Sequence, residues 1–196
     1  MNLCGTQELE TERLVLRRFT LADAPAMYHN WASDPEVTKF LEFKPHADVD
    51  VSRRVLAEWV GSYCRGDFFQ WAIVPKSFGE PIGSIGTMDP ELRISMLHVG
   101  YCIGRDWWHQ GYTSEAFAAV IRFLFEVVGA NRIESCHNLL NPNSGKVMQK
   151  CGLRYEGTLC QANASNFGVG DLAVYGLVAE DYFACPDATR GKPARE

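Results

Sequence analysis

The densest run of chemistry-capable residues lies between Gly100 and Ala116: Gly-Tyr-Cys-Ile-Gly-Arg-Asp-Trp-Trp-His-Gln-Gly-Tyr-Thr-Ser-Glu-Ala. It reads as a strand, a glycine-containing loop and the start of an apolar helix. Gly111 permits a tight backbone turn, and Thr113 or Ser114 is placed to cap the helix. Free N–H groups at a helix N-terminus attract an anion, phosphate above all. The loop lacks both the Gly-Lys-Ser/Thr of a Walker A loop and a G-x-G-x-x-G triplet. At this level it is either a phosphate-binding strand-loop-helix or an ordinary capped turn. Downstream, Lys146, Lys150 and Arg154 recur at i, i+4 spacing, as an anion-binding stripe or a solvated face. The five histidines (29, 46, 98, 109, 137) lack metal-ligand spacing, so no structural metal is expected. The seven cysteines are odd in number and contain no CxxC, which reads as buried reduced thiols.

The elements that must position these residues follow from periodicity. Arg13 to Phe19 reads as a first strand. Thr20-Leu-Ala-Asp23 resembles a capping box with Asp in place of Glu. The helix behind it puts Ala24, Met27, Tyr28 and Trp31 on one face, and Asp34-Pro35 ends it. A second helix runs from about Asp48 to Tyr63. Strand patterns follow at 68–74, 81–87 and 94–103, then a buried helix at 114–128 and a strand at 132–137. The intervening helix makes 94–103 and 132–137 parallel neighbours. A short helix over 143–151 stops at Gly152, and strands at 154–160 and 172–178 close the order. This is an α/β or α+β sandwich and not a doubly wound sheet.

The chain has 196 residues, 46% hydrophobic and 22% charged, which suits one domain, 1–184, followed by a polar tail at 185–196. The net charge of −5 argues against a general nucleic-acid binder and suits a cationic acceptor. No apolar run is long enough to span a membrane, and Met1 to Arg18 lacks a signal-peptide core. A cytoplasmic location is expected.

Trp107 to Ala116 resembles the acyl-CoA pyrophosphate loop of the GNAT N-acetyltransferases, Gln/Arg-x-x-Gly-x-Gly/Ala, and within them the ribosomal-protein N-acetyltransferase branch (RimJ/RimL-like). Trp108, Gly111, Tyr112, Glu115 and Ala116 match the branch; His109, Thr113 and Ser114 depart from it. Thr11 to Arg17, Gly100-Tyr101, Asn141 to Ser144, Lys150 to Leu153, Glu156-Gly157, Asp171 and Tyr175 resemble further branch segments in the same order, spanning residues 11 to 182.

The resemblance implies a GNAT fold. This is a mixed, mostly antiparallel sheet of about seven strands with splayed parallel fourth and fifth strands, flanked by about four helices. It implies acetyl-CoA as cosubstrate. The acyl-pantetheine arm lies along Tyr101, Cys102 and Ile103, and the pyrophosphate along Trp108, His109, Gln110, Gly111, Tyr112, Thr113 and Ser114. Asn141 and Ser144 contact the arm, and Lys150 approaches the ribose phosphate. The implied reaction is direct attack of a neutral amine on the thioester. Many GNAT enzymes carry a tyrosine acid where this chain has Met148. In the branch a serine serves, here Ser144, which is the expected donor near the sulfur. The expected base is His98, at a position where the branch often has Glu, with a bound water, Glu156 and Tyr101 as the alternatives. A histidine pKa of about 6.5 suits that role.

A peptide α-amine, with a pKa of about 8, is partly neutral at pH 7.5, whereas deprotonating a lysine there costs about 4 kcal/mol. An α-amine acceptor, such as a protein N-terminus, therefore asks less of the base. The alternatives are a small amine (an antibiotic or polyamine) and a non-catalytic acyl-CoA-binding module, which Met148 and His98 leave open. The branch also carries over a homodimer as an allowed state.

Overall fold

Period-two runs of Val, Ile, Leu and aromatic residues place eight strands in one mixed sheet, with helices on both faces. A computed structural model describes residues 1–88 and 90–184. The strands are β1 (Leu9–Glu10), β2 (Leu14–Arg17), β3 (Gln70–Pro75), β4 (Gly83–Thr87), β5 (Met96–Ile103), β6 (Arg132–Asn138), β7 (Arg154–Ser165) and β8 (Gly168–Val178). Their order across the sheet is β1-β2-β3-β4-β5-β6-β8-β7. All neighbours are antiparallel except β5 and β6. The expected seven strands become eight because two residues ahead of the first predicted strand pair back on it, Leu9 opposite Leu16. The expected fourth and fifth strands are therefore β5 and β6.

The helices are α1 (Ala24–Met27), α2 (Pro35–Thr38), α3 (Val49–Ser62), α4 (Tyr112–Phe123), α5 (Pro142–Lys150) and α6 (Ala179–Ala184). The count exceeds four because Asp34 caps a separate short turn at Pro35, its carboxylate accepting from the Glu36 N–H, and because a last short helix follows β8. The capping box forms as read: Asp23 accepts from the Thr20 N–H at 2.8 Å. Asp48 caps α3 through the Val51 N–H.

Two apolar clusters lie against the sheet. One joins Leu14, Leu16, Trp71, Leu97 and Val99 to Phe117, Val120 and Leu124 of α4 and the turn after it. The other packs Phe19, Met27, Trp31 and Leu56 against Ala72 and Val74. Each such side chain contributes about 1.5–3 kcal/mol by burial. Gly152 ends α5 as read. At φ 90° it lets its N–H reach the Gln149 carbonyl while the Leu153 N–H reaches that of Met148, and Leu153 is buried.

Two sequence expectations are corrected by this framework. Arg154 leaves the helical stripe, because α5 ends at Lys150 and Arg154 begins β7, where it pairs with Asp181 at 3.0 Å. Cys64 and Cys160 are exposed, one just past the end of α3 and one on β7; Cys151 is buried and Cys4, Cys102 and Cys136 are half-buried. The expected tail and Cys185 lie outside the described residues. Among the described residues no helix is long and apolar enough to cross a membrane.

Candidate active site

The site is a fork in the sheet. β5 and β6 pair in register at only three positions, Met96 with Arg132, Leu97 with Ile133 and His98 with Glu134. Beyond them the Ser135 hydroxyl donates to the Val99 carbonyl at 2.8 Å and marks where the strands part. Alternation along β5 then decides what faces the gap. The His98 carbonyl accepts from the Met88 N–H and the Gly104 N–H donates to the Ile82 carbonyl, so even-numbered residues bond β4. Odd-numbered residues turn their backbone groups away from β4. Val99 meets Ser135, and the Ile103 carbonyl takes the Trp108 indole N–H at 2.9 Å. Between them the N–H and C=O of Tyr101 face the opening. Cys102 does not: its backbone faces β4 and its thiol lies 3.4 Å from the Ser84 hydroxyl. At Gly100 a Cβ would meet no heavy atom within 4 Å, so the floor there is open.

At the end of β5 the chain turns through Arg105–Trp107 into α4. His109 and Gly111 both have positive φ, 62° and 81°. Gly111 is the residue that starts α4, and no side chain caps it, so the caps expected from Thr113 or Ser114 are not formed. The Glu115 N–H is the first to bond within the helix, to the Gly111 carbonyl, which leaves the amides of Tyr112, Thr113 and Ser114 free of intrahelical partners. Gln110 donates to the Asp106 carbonyl at 2.7 Å.

Sequence reasoning missed what holds this loop. Glu115 accepts from the Thr11 hydroxyl at 2.6 Å, the Arg13 N–H at 2.9 Å and the Arg13 Nε at 2.7 Å. Burial opposes ionisation of this carboxyl, but the bonds from Thr11 and Arg13 outweigh it and hold the group below its ordinary range. Arg13 also donates to the Gln110 carbonyl at 3.1 Å and lies 4.5 Å from the Tyr112 ring centre. Two segments quoted separately in the sequence, 11–17 and 107–116, are thus one structure.

On the α4 side of the fork, Tyr101 packs on Phe117 and reaches α5. Its hydroxyl donates to the Ser144 carbonyl at 2.9 Å and accepts from the Ser144 hydroxyl at 3.1 Å. Burial pushes the Tyr101 phenol well above its usual range, so it stays protonated. Ser144 is not the helix cap; Asn141 holds that position, with no side-chain cap bond. Met148 is buried. Lys150 is exposed on α5, and Lys146 contacts Asn143 at 3.4 Å.

The opposite face carries His98, Glu134 and Cys136. His98 Nδ1 lies 3.5 Å from Glu134 Oε1, and His98 Nε2 lies 3.5 Å from Cys136 Sγ. Burial, then the charges of Glu134 and Glu42, push the Cys136 thiol up to about 11. Glu42 belongs to a segment tied to the far hairpin. Asn166, in the turn between β7 and β8, donates to the Thr38 and Phe43 carbonyls at 2.9 and 2.7 Å, and the Phe167 N–H donates to the Lys39 carbonyl at 2.8 Å. The structure thus brings Tyr101, Ile103, the 108–114 loop and Ser144 to one side of the fork and His98 to the other. An open strand edge ending beside free helix amides suits an amide-bearing chain with a phosphate at its end. Among the described residues no group of three or more acidic, His or Cys side chains is placed to hold a metal.

A family model described as an acetyltransferase (GNAT) domain matches residues 13–154. The chain is 30% identical over 176 residues to the uncharacterized N-acetyltransferase p20 of Bacillus licheniformis, covering 90% of this chain and 98% of that one. It is 28% identical over 170 residues to the uncharacterized N-acetyltransferase YoaA of Bacillus subtilis (strain 168), covering 87% and 96%. Its fold is similar to that of RimL, a ribosomal alpha-N-protein acetyltransferase solved in complex with coenzyme A. That likeness has a TM-score of 0.80 at 17% identity, over 89% of this chain and 99% of RimL.

Proposed function

Because the chain belongs to the GNAT acetyltransferase family, we propose that it moves the acetyl group of acetyl-CoA to a primary amine by direct attack, with a protein N-terminal α-amine as the acceptor class. The observation that carries the reading is the fork: β5 loses β6 after His98, and the backbone of Tyr101 lies open beside the uncapped start of α4. In this reading Tyr101 and Ile103 bond the pantetheine arm. The amides from Gln110 to Ser114 take the pyrophosphate, and Asn141 and Lys150 approach from α5. Trp108 acts as a strut, because its indole N–H is spent on Ile103. His98 accepts the amine proton as the C–N bond forms. As the C–S bond breaks, the Ser144 hydroxyl donates toward the leaving sulfur, and its partner Tyr101 steadies it.

A second reading, a small amine acceptor, is favoured by one observation. The 38–43 segment is tied to the hairpin turn by Asn166 and Phe167, and it brings Glu42 close enough to act on Cys136. In this second reading the bridge restricts the room for an extended peptide on the Cys136 side of the fork. One experiment tests both readings: CoA thiol release from acetyl-CoA with peptides bearing free α-amines, the same peptides Nα-blocked, and small mono- and polyamines. Release with free but not blocked peptides supports the first reading; release with small amines alone supports the second. If acetyl-CoA raises the melting temperature but no amine accelerates thiol release, the chain is an acyl-CoA-binding module and both readings fall.

A further inference from the structure

We propose that Glu134 is the positioning residue for His98, holding the imidazole so that Nε2 faces the incoming amine; this rests on the reading of His98 as the base. The parallel register sets the two residues directly across from each other at the last paired position before the fork opens. Both side chains are largely buried, His98 at 19% exposure and Glu134 at 26%. One carboxylate oxygen faces Nδ1 at 3.5 Å. The other accepts from Arg132 Nη2 at 2.8 Å, and Arg132 is itself gripped by both oxygens of Glu156, at 2.7 and 2.5 Å. The carboxylate is therefore braced from behind across two strands and cannot swing away from the ring.

In this assignment the Nδ1 proton points to the carboxylate and the lone pair lies on Nε2. Nε2 lies 3.5 Å from the Cys136 thiol, which its surroundings keep protonated, a weak donor that an amine N–H replaces readily. As the C–N bond forms, the amine proton passes to Nε2 and the electron pair of the broken C–S bond leaves with the sulfur. Glu134 then faces an imidazolium and stabilises it. The charged and titratable groups around His98 are Glu134 and Cys136 on β6, Arg132 and Glu156 behind them, and Glu42 from the 39–43 segment.

The test is the pH profile of kcat/KM for the acceptor amine in Glu134→Gln, Glu134→Asp and His98→Gln, with acetyl-CoA binding followed separately. Loss of the carboxylate removes the negative partner that faces the imidazolium as it forms, so the rate falls. Glu134→Gln is expected to lower kcat/KM about 10- to 100-fold, to move the acid limb, and to leave acetyl-CoA binding unchanged. Glu134→Asp retracts the carboxylate but keeps its charge, so rate falls while the limb stays. His98→Gln removes the limb, and Glu134→Gln adds nothing in that background. If His98→Gln removes the limb and Glu134→Gln neither moves it nor loses rate, Glu134 positions nothing and serves only to pair with Arg132. If His98→Gln leaves the limb in place, the base reading itself fails. Retained thermal stabilisation by acetyl-CoA shows that each variant is folded.

Discussion

The two faces of β5 are built by different means. On the α4 side, the turn of the 108–114 loop and the start of α5 are shaped by nearby sequence, a left-handed glycine and a helix start, and a charged anchor of Glu115 to Thr11 and Arg13 then holds the loop in place. On the other side, His98, Glu134, Cys136, Arg132 and Glu156 come from three strands, brought together by register alone. The 38–43 segment, whose Glu42 charge reaches Cys136, is tied to a hairpin turn more than a hundred residues away in sequence. The first face suits a constant ligand that must always be held the same way. The second can change with a few substitutions and leave the first intact, and in the proposed reading it is the face that selects the acceptor.

The sharpest break of that comparison is Gly111→Asp. At φ 81° a side chain is strained by about 1–2 kcal/mol, its Cβ would sit 3.4 Å from the Arg13 guanidinium, and the new carboxylate adds negative charge to the loop proposed to take a pyrophosphate. A saturating ligand at about a hundred times its Kd stabilises by about 2.7 kcal/mol, which for a chain of this size is about 5–10 °C. Acetyl-CoA is expected to give the wild type such a shift and Gly111→Asp almost none. Gly111→Ala, strained but uncharged, should keep part of it. An undiminished shift in the aspartate variant would remove the phosphate from this loop. Ser144→Ala comes next. It should lower kcat about 10- to 100-fold with acetyl-CoA affinity nearly unchanged, because the Tyr101 hydroxyl keeps its bond to the Ser144 carbonyl. Equal losses in kcat and affinity would make Ser144 a binding residue only.

The same contrast explains what could be read from the sequence. The succession of strands and helices along the chain, the parallel pair, the capping box at Thr20–Asp23 and the Gly152 stop were legible from spacing along the chain. Gly111 was legible as a turn. The cap expected from Thr113 or Ser114 was not formed, because the turn at His109 and Gly111 starts the helix before either residue. Arg154 misled because helical spacing continues past a helix that glycine has already stopped. Glu134 stayed hidden because its contact with His98 depends on a three-residue parallel register, and shifting that register by one residue would turn the carboxylate to the other face. Glu115 was visible as a matched residue, but its partners, Thr11 and Arg13, lie a hundred positions away.

That anchor gives the smallest expected effect and the finest test of the contrast. Glu115→Gln keeps the side-chain shape and one acceptor oxygen but removes the charge that draws Thr11 and Arg13 together. Bonds to a charged group are worth about 1.5–3 kcal/mol. With Gln retaining part of them, a loss of about 1–2 kcal/mol at pH 7 is expected, or about 2–8 °C in Tm. The carboxyl titrates below its ordinary value in the folded chain. Its contribution is therefore complete above the unfolded value of about 4.3 and is lost as pH falls through the folded value. The gap in Tm between wild type and Glu115→Gln should hold from pH 8 to about 5 and close below that. The gap is the proper readout, since Asp23 and Glu156 are also held low by arginines and erode both proteins alike. The Asn166 tie across the other face joins an amide to two carbonyls and has no proton to gain. A gap that stays open at low pH would mean that Glu115 anchors the loop by shape and not by charge, and the two faces would then be held by the same kind of bond.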